Sequence, residues 1–345
     1  MGVMRIAELV APREFRLVER EIGAVGPGEV RVRVNAVGIC GSDLHSYSEG
    51  AVGDTPAQYP MVLGHEPAGT VVSTGAGVTG WSAGDRAALE PALYCYHCEQ
   101  CRAGRHNICE NIRFLSTPGH AGFFREFVDL PASSLLGIPK DMPMAIATLV
   151  EPLAVALHSV RLAAVGLGET AAVIGAGPIG LLTVACLRAA GASRIWVVEP
   201  VAHRREMAKR MGAAEAIDPG ATDAARQIVA ETGGRGVDCA LDCAAKEHTI
   251  NWAIRCVRNG GRVALTGIHS QPMVPFEVSP MRRKELTIFN VRRSNHEPEA
   301  ALELLIARNQ WFAPMVTHTR PLDRIAEAFR IVEPYADGVG KLVIE

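Results

Sequence analysis

The sequence lacks the features that mark several large classes of protein. Its formal net charge is only -2, so it offers no strongly basic surface for nucleic acid or for an anionic membrane. It does not open with a basic segment followed by a long apolar run, so we expect no secretory signal and a cytoplasmic protein. Internal repeats and low-complexity tracts are also missing. These absences favour a globular protein whose partner is a small molecule.

Long uninterrupted apolar runs are absent as well. The longest apolar stretch, residues 171–187, approaches the length that spans a membrane, but three glycines and one proline interrupt it. A strand, a turn and a helix of a soluble protein produce this pattern. We therefore expect no membrane span and no membrane partner.

The cysteines do not indicate a disulfide framework. There are nine of them, an odd number, in a chain without an export signal. Four lie close together in the sequence: Cys95, Cys98, Cys101 and Cys109. Their spacing suits a closed tetrahedral zinc site, and four thiolates leave no position for water, so we predict a structural zinc. The last gap is longer than in the ferredoxin pattern, which disfavours an iron–sulfur cluster; four unligated cysteines are the remaining alternative.

The length and the pattern of the chain indicate two domains. At 345 residues the chain exceeds the usual limit for one hydrophobic core. A mostly β domain over residues 1–154 is predicted by short β-rich segments at 30–39, 68–74 and 85–91. Strands then alternate with helices, which predicts an α/β domain with a doubly wound parallel sheet over residues 155–293. Residues 294–345 are too few for a third domain and are expected to return to the first.

A glycine-rich loop has the pattern of a dinucleotide-binding site. Gly175, Gly177 and Gly180 form GxGxxG between an apolar strand and a helix that begins at Pro178. The first glycine permits a tight turn, the second lets backbone approach the pyrophosphate, and the third lets helix and strand pack closely. The helix N-terminus favours the negative phosphates. Three glycines can also form a simple turn, but the flanking elements favour a nucleotide site.

An acidic residue downstream of this loop indicates which dinucleotide binds. Glu199 ends the next strand, where a carboxylate accepts hydrogen bonds from the adenosine ribose and repels a 2′-phosphate. This favours NAD over NADP. The three residues His203, Arg204 and Arg205 are a complication, because they could bind such a phosphate or simply form a solvated helix face.

Candidate ligands of a catalytic metal are scattered along the chain. Cys40, His65, Glu66 and Glu151 offer the mixed sulfur, nitrogen and oxygen atoms that catalytic zinc accepts, with about three protein ligands and one open position. Each residue also has an ordinary structural interpretation, such as a small buried cysteine or an acid at a helix N-terminus. Their spacing alone does not join them into one site.

Several motifs together resemble those of the zinc-containing medium-chain dehydrogenases. They follow the family's order along nearly the whole chain: GICGSDLH, GHEPAGTVVSTGAGVTGWSAGDRAALEP, the four-cysteine segment, EPLAVALH and VIGAGPIG. Glu151 stands where other alcohol dehydrogenases carry a zinc-binding cysteine, so the chain is most similar to the polyol branch, the sorbitol dehydrogenases. The resemblance implies a GroES-like β domain that carries both zinc ions, a Rossmann domain, and a final segment that returns to the first domain.

The resemblance also implies roles for individual residues. Cys40, His65 and Glu66 would bind the catalytic zinc, and Glu151 would reach it directly or through water. The positions that contact the cofactor in the family are Gly175, Gly177, Pro178, Ile179, Gly180, Glu199, Arg204, Thr266, Gly267, Ile268, Val291 and Arg292. Arg292 also falls on a position that contacts substrate.

Two departures from the family pattern concern the substrate. The tyrosine expected after His45 is Ser46, with Tyr47 following, and the aromatic residue expected after Arg292 is Arg293. Both positions face the polyol in the family. Because arginine suits carboxylates and phosphates, Arg293 favours an acidic or phosphorylated sugar derivative, or else it forms a surface ion pair.

The predicted reaction is the oxidation of a secondary alcohol by NAD. We hypothesise that zinc lowers the pKa of the substrate hydroxyl and that hydride passes from the adjacent carbon to the nicotinamide. Ser42 and His45 would relay the released proton to solvent. Zinc-bound water with Glu66 or Glu151 is an alternative relay.

Other functions stay open on the sequence. A threonine dehydrogenase, or a sugar-acid or sugar-phosphate dehydrogenase, can use the same scaffold. A protein of another class would bind the nucleotide for a structural or regulatory purpose and lack catalysis, but the presence of all four candidate ligands argues against this. The family commonly forms dimers or tetramers, so a homo-oligomer is expected by resemblance.

Overall fold

The computed structural model describes residues 2–345, which form two compact units. The first unit contains the residues up to Glu151 together with Pro298–Ala307 and Val316–Glu345. The second unit contains Pro152–Glu297 and Arg308–Met315. The boundaries therefore differ by a few residues from those expected after residues 154 and 293, and residues 308–315 were not expected in the second unit. The chain passes from the first unit to the second between Glu151 and Pro152. Both residues lie in the helix Val150–Leu162, so no break in the sequence pattern marks this boundary.

The first unit is built on a mainly antiparallel sheet of seven strands. Six of them follow one another across the sheet in the order Leu135–Gly137, Arg86–Leu89, Glu66–Thr74, Glu29–Gly38, Lys341–Ile344 and Val316–Arg320, and the seventh, Phe127–Pro131, pairs with Glu29–Gly38. The C-terminal segment supplies two of these strands. Three pairs of strands lie outside the sheet: Val3–Ala11 with Glu14–Glu21, Ala51–Val52 with Thr55–Pro56, and Ala92–Leu93 with Arg113–Phe114.

Alternation along the strand Glu29–Gly38 explains its place in this sheet. Val30 and Val32 are fully buried, whereas Arg31 and Arg33 are not. Successive side chains of a strand point to opposite faces, so this pattern fixes which residues enter the core. The same strand ends at Gly38, which pairs with Glu66 on one side and with Val343 on the other. Candidate ligands from distant parts of the sequence are thereby brought to one end of the sheet.

The second unit contains a parallel sheet of six strands. Their order is Glu215–Ile217, Arg194–Val198, Thr170–Ile174, Val237–Asp242, Val257–Leu265 and Thr287–Asn290. The central strand Val237–Asp242 is buried along its whole length, as expected when helices cover both faces of a parallel sheet. This architecture confirms the predicted fold class.

The helices are mostly short. They are Gly41–Leu44, Glu99–Arg102, Met144–Ala147, Val150–Leu162, Pro178–Ala189, Ala202–Met211, Ala224–Glu231, Thr249–Cys256, Val278–Arg283, Pro298–Ala307, Asn309–Phe312 and Ile325–Val332. One stretch of the described residues, Met144–Leu162, is long and apolar enough to cross a membrane, but 67% of its most apolar window is buried within the fold. The core helix of a soluble protein has these properties, so the stretch is weak support for a membrane span.

A buried carboxylate ties three strands of the second unit together. Asp238 accepts hydrogen bonds from Arg235 Nη2 at 2.6 Å, Arg258 Nε at 2.7 Å and both the backbone nitrogen and the hydroxyl of Thr170 at 2.9 Å. Burial acts to raise the pKa of Asp238, but these donors outweigh it and lower the pKa below its ordinary value. The ionised form is therefore stabilised by folding.

Replacing Asp238 with asparagine is expected to destabilise the folded chain by about 2–4 kcal/mol, because its four hydrogen-bond donors lose a charged, buried acceptor. Ionised Asp238 stabilises the wild-type fold at any pH above the pKa of this carboxyl in the unfolded chain, about 3.9. This stabilisation is lost progressively as the pH falls from there toward the lower pKa of Asp238 in the folded chain. Denaturant unfolding between pH 3 and 7 measures both effects. The exposed Glu247→Gln is the matched control, and equal stability of both variants at pH 7 would refute the assignment.

Candidate active site and nucleotide loop

Three predicted metal ligands lie together in the first unit. Cys40 precedes the helix Gly41–Leu44 and caps its N-terminus, while His65 and Glu66 stand where the strand Glu66–Thr74 begins. Their ligand atoms all lie within 4.8 Å of one another. His65 and Glu66 are buried, with 6% and 1% of their surfaces exposed. The arrangement offers one sulfur, one nitrogen and one oxygen atom to a single ion.

A buried aspartate that the sequence analysis did not single out holds this group in place. Asp43 accepts hydrogen bonds from the backbone nitrogens of Cys40 at 3.0 Å and Gly64 at 3.1 Å. Its Oδ1 lies 3.3 Å from His65 Nδ1, so the other ring nitrogen, Nε2, is the one left for a metal. Burial acts to lower the pKa of His65, but Asp43 and Cys40 outweigh it and raise that pKa well above its ordinary value. The position of Asp43 three residues after Cys40, as in a capping box, is the signal that could have identified it.

A residue that is distant in the sequence contacts the acidic ligand, Glu66. The Lys341 ammonium forms an ion pair with Glu66 Oε2, and both side chains are 1% exposed. Burial acts to lower the pKa of Lys341, but Glu66 and Cys40 outweigh it and raise the pKa. A lysine directly before the apolar residues LVI marks position 341 as unusual, although nothing in the sequence names Glu66 as its partner.

The donor set fits zinc. Thiolate, imidazole and carboxylate are its usual ligands, and three of them leave a fourth position open, as in catalytic sites. Glu66 Oε1 is buried and has no hydrogen-bond partner among residues 2–345, which is the condition of an atom that a metal would satisfy. The residues present therefore fit a zinc ion at this position.

The remaining predicted catalytic residues surround this group at different distances. Ser42 Oγ lies 3.3 Å from His65 Nε2, which places the hydroxyl beside the metal position. His45 Nδ1 contacts Glu49 Oε2 at 2.9 Å. Glu151 is not in the 4.8 Å group; burial, with help from Glu66, raises its pKa to about 8.

The structure gives little support to two of the predicted substrate contacts. Tyr47 is 2% exposed, and its ring packs against Phe15 and Phe329 at centroid distances of 5.7 and 4.8 Å. It packs in the hydrophobic core, so it leaves little surface for the substrate contact that was expected of it. Ser46 is also buried, with 4% of its surface exposed, and its carbonyl oxygen accepts a hydrogen bond from Tyr59.

The four clustered cysteines also converge. The ligand atoms of Cys95, Cys98, Cys101 and Cys109 all lie within 4.8 Å of one another, and the Sγ atoms of Cys95 and Cys109 are 3.5 Å apart. All four are free thiols. Backbone N–H groups, first that of His97, lower the pKa of Cys95 to about 5, which favours the thiolate that binds metal. The group fits a closed tetrahedral zinc site.

The nucleotide loop joins the strand Thr170–Ile174 to the helix Pro178–Ala189. Gly175 has φ = 94°, a conformation that favours glycine. A Cβ atom at Gly180 would overlap the carbonyl oxygen of Gly175, whereas a Cβ at Gly177 would meet nothing within 4 Å. Gly180 therefore serves packing, and Gly177 leaves open space at the helix N-terminus, where a pyrophosphate binds.

Alanine substitutions should separate these two roles. Gly180→Ala is expected to destabilise the fold by about 1–3 kcal/mol through the overlap with Gly175. Gly177→Ala should keep nearly wild-type stability but weaken dinucleotide binding about tenfold, because its methyl group occupies the approach to the backbone. Denaturant unfolding and titration with NADH, followed by fluorescence, measure the two effects. The assignment would fail if Gly177→Ala bound the dinucleotide normally.

The acid that follows the next strand contacts this loop. Glu199 Oε2 accepts a hydrogen bond from the Ala176 nitrogen at 2.7 Å, and Oε1 accepts one from the Val201 nitrogen at 2.9 Å. Arg205 donates to the carbonyl oxygens of Glu199 and Pro200 and pairs with Asp218 at 3.1 Å. Arg204 is buried, with 6% of its surface exposed. Of the predicted phosphate ligands, Arg205 is therefore engaged by its own neighbours.

The other predicted cofactor residues lie where parallel strands end. Thr266, Gly267 and Ile268 follow the strand Val257–Leu265, and Val291 and Arg292 follow Thr287–Asn290. In a sheet of this kind, ligands bind beyond the carboxyl ends of the strands. Ile179 lies in the first turn of the loop's helix. The structure thus brings the whole predicted nucleotide set to one edge of the sheet, with Arg293 directly after it.

Comparison with known proteins agrees with both halves of this description. Residues 26–140 match the alcohol dehydrogenase GroES-like domain, and residues 178–307 match the zinc-binding dehydrogenase family. The sorbitol dehydrogenase of Bacillus subtilis (strain 168) is 34% identical over 325 residues, which cover 94% of this chain and 92% of the relative. A probable D-xylulose reductase A of Emericella nidulans is 35% identical over 312 residues, or 89% of this chain and 87% of the relative.

A solved structure has the same fold over its whole length. It is a zinc-binding dehydrogenase from Sinorhizobium meliloti 1021 bound to NADP, with a TM-score of 0.91, 30% identity, and coverage of 100% of this chain and 99% of the other. The fold and the two ligand clusters thus define an alcohol dehydrogenase that uses zinc and a nicotinamide dinucleotide. The chain belongs to the zinc-containing medium-chain dehydrogenases, close to their polyol dehydrogenase branch.

Proposed function

We propose that the enzyme oxidises a secondary alcohol of a polyol or sugar derivative to a ketone, with NAD as the hydride acceptor. The observation that carries this proposal is the buried group of Cys40, His65 and Glu66, whose ligand atoms lie within 4.8 Å of one another. Such a set binds zinc and leaves a position for the substrate hydroxyl. The similarity to a sorbitol dehydrogenase and to a D-xylulose reductase supports a polyol as substrate class.

The ligand set can be narrowed within this proposal. Glu66 belongs to the 4.8 Å group and Glu151 does not, so we assign Glu66 as the direct ligand and Glu151 as a contact through water. When bound, zinc supplies a Lewis acid that makes the substrate hydroxyl more acidic. Asp43 fixes the His65 ring, and Cys40 contributes the thiolate. The cysteines at 95, 98, 101 and 109 would hold a second, structural zinc.

Ser42 is the residue placed to take the substrate proton. Its hydroxyl lies 3.3 Å from His65 Nε2, on the metal side of that ring, and His45 would pass the proton on to solvent. We expect Ser42→Ala and His45→Ala each to lower kcat by about 10²-fold while both zinc ions are retained. Turnover together with metal analysis checks this. Unchanged rates would remove both residues from the relay and leave Glu151 with water in that role.

The cofactor assignment is NAD. Glu199 occupies the position that binds the ribose hydroxyls, and Arg205 is engaged by Glu199, Pro200 and Asp218. A 2′-phosphate would meet the carboxylate and find this arginine occupied. The dehydrogenase from Sinorhizobium meliloti binds NADP, so the fold alone does not select NAD and the local residues carry this assignment.

The substrate proposal is tested with a panel of alcohols. Polyols, sugar acids, sugar phosphates and threonine are each assayed with NAD and with NADP, and ketone formation is followed as absorbance of the reduced cofactor. The highest kcat/KM is expected with a polyol and NAD. A clear preference for a sugar acid or a sugar phosphate would assign Arg293 to an anionic group, and one for threonine would move the enzyme to an amino-acid substrate. No turnover with any member would favour the nucleotide-binding protein without catalysis.

Assembly and location complete the proposal. We expect a homotetramer or homodimer in the cytoplasm, in keeping with nine free cysteines and the absence of disulfides among the described residues. Light scattering of the purified enzyme measures the assembly, and a monomer would contradict it.

A further inference from the structure

Lys341 is a charged residue in a place where charge is rare. It begins the strand Lys341–Ile344, all four residues of which are buried, and only 1% of its surface is exposed. Lysine is almost never fully buried unless it is paired. The mechanism proposed above does not use this residue.

Its pairing is limited to one atom of the proposed metal site. The ammonium contacts Glu66 Oε2. Apart from this ion pair, neither Lys341 Nζ nor either Glu66 oxygen has a hydrogen-bond partner within residues 2–345. Buried ion pairs that serve the fold alone usually satisfy their remaining donors and acceptors with further hydrogen bonds. Here the charges are neutralised but the hydrogen bonding is left incomplete.

The backbone leaves room for this pair. Gly38 is hydrogen-bonded between the strands that carry Glu66 and Val343. A Cβ atom at Gly38 would overlap the Glu66 carboxylate and the Lys341 side chain. The glycine therefore opens the space in which carboxylate and ammonium meet, on the strand that leads to Cys40.

We infer that Lys341 is a positioning residue for the catalytic zinc: its ammonium holds the Glu66 carboxylate in place in the metal-free site and opposes the metal when it binds. The inference rests on the proposed function in one respect, the assignment of Glu66 as a zinc ligand. One oxygen faces Lys341, and the carboxylate is within reach of Cys40 and His65. Two cations that share one buried carboxylate repel each other.

The sign of the effect follows from this geometry. Without zinc, removal of the ammonium leaves Glu66 as an uncompensated buried charge, which destabilises the metal-free protein. With zinc bound, the metal neutralises the charge of the same carboxylate, so removal of the ammonium costs less stability than it does in the metal-free protein. By linkage, a neutral residue at position 341 must therefore bind zinc more tightly than lysine does. A lysine that only stabilised the fold would leave zinc affinity unchanged.

The test compares zinc affinity in four proteins: wild type, Lys341→Met, Lys341→Arg and Lys284→Met. Each is loaded with zinc and titrated with a competing chromogenic chelator, and His65→Ala, which lacks the catalytic site, identifies the release of structural zinc. Lys341→Met should lower the dissociation constant of the catalytic zinc about tenfold. Lys341→Arg keeps the charge and should match wild type. Lys284 donates to three backbone carbonyl oxygens in the other unit, so its replacement should reduce stability but not change zinc affinity.

The outcomes are distinct. If Lys341→Met binds zinc as wild type does or more weakly, the inference is wrong and Lys341 is structural, like Lys284. If Lys341→Met does not fold without metal, Lys341→Gln, which is neutral but polar, replaces it with the same expectation. If the wild type itself binds no catalytic zinc, the proposed function fails before Lys341 is compared.

Discussion

Replacing His65 with alanine is expected to remove one of two zinc ions per chain and to lower kcat/KM for polyol oxidation by about 10⁴-fold or more. The imidazole is one of three candidate protein ligands, and Asp43 Oδ1 lies 3.3 Å from its Nδ1. Without it, two ligands remain, which is too few to hold catalytic zinc. The four-cysteine group is separate and should keep its metal.

Metal analysis and steady-state kinetics on the same preparation check this result. His318→Ala is the control, because the His318 ring contacts the neighbouring Thr317 hydroxyl and His318 belongs to neither group of candidate metal ligands. It should keep both zinc ions and full activity. If His65→Ala retained two zinc ions and normal turnover, Cys40, His65 and Glu66 would not be the catalytic centre.

Replacing Glu199 with alanine is expected to lower the preference for NAD over NADP by about 100-fold. Most of this change should come from a lower kcat/KM with NAD. The carboxylate is the group that would accept hydrogen bonds from the ribose hydroxyls. It also accepts a hydrogen bond from the Ala176 nitrogen of the nucleotide loop. Its removal takes away the repulsion of a 2′-phosphate. Arg205, which donates to the Glu199 carbonyl, stays in place because that bond involves the backbone.

The measurement is kcat/KM with each dinucleotide at a fixed alcohol concentration. Glu206→Ala is the matched control, since Glu206 lies on the helix Ala202–Met211 that follows Glu199 and its side chain is 65% exposed. It should behave as wild type. An unchanged ratio in Glu199→Ala would mean that other residues select the dinucleotide.

The nucleotide loop could be predicted from the sequence because its determinants are local. The strand, three glycines and helix occupy neighbouring positions between Thr170 and Ala189, and Gly175 and Gly180 each have a steric reason to lack a side chain. The parallel sheet could be predicted for the same reason, because strands and helices alternate along this part of the sequence. The strand Glu215–Ile217 and the helix Ala224–Glu231 were not predicted, since both are short and lie in a polar, glycine-rich stretch.

The catalytic group could be predicted only in part, because its members are distant in sequence. Cys40 and His65 become neighbours through strand pairing, and resemblance to a family, not spacing, joined them in the prediction. Lys341 reaches Glu66 from 275 positions away through the pairing of Gly38 with Val343. No local pattern encodes such a contact.

Tyr47 is a residue for which resemblance and packing point to different roles. A resemblance placed it near the substrate, but burial and aromatic packing decide its role. Its ring lies against Phe15 and Phe329, which come from opposite ends of the chain. Tyr47 lies in the short π-helix His45–Glu49, so one extra residue between His45 and the tyrosine is enough to point the ring in a different direction.

The most direct test of the account is NADH formation from a polyol by wild-type enzyme before zinc removal, after removal of the catalytic zinc by a chelator, and after its return. The account predicts NADH formation in the first and third states and almost none in the second, with one zinc retained by the four cysteines. Equal NADH formation in all three states would contradict it.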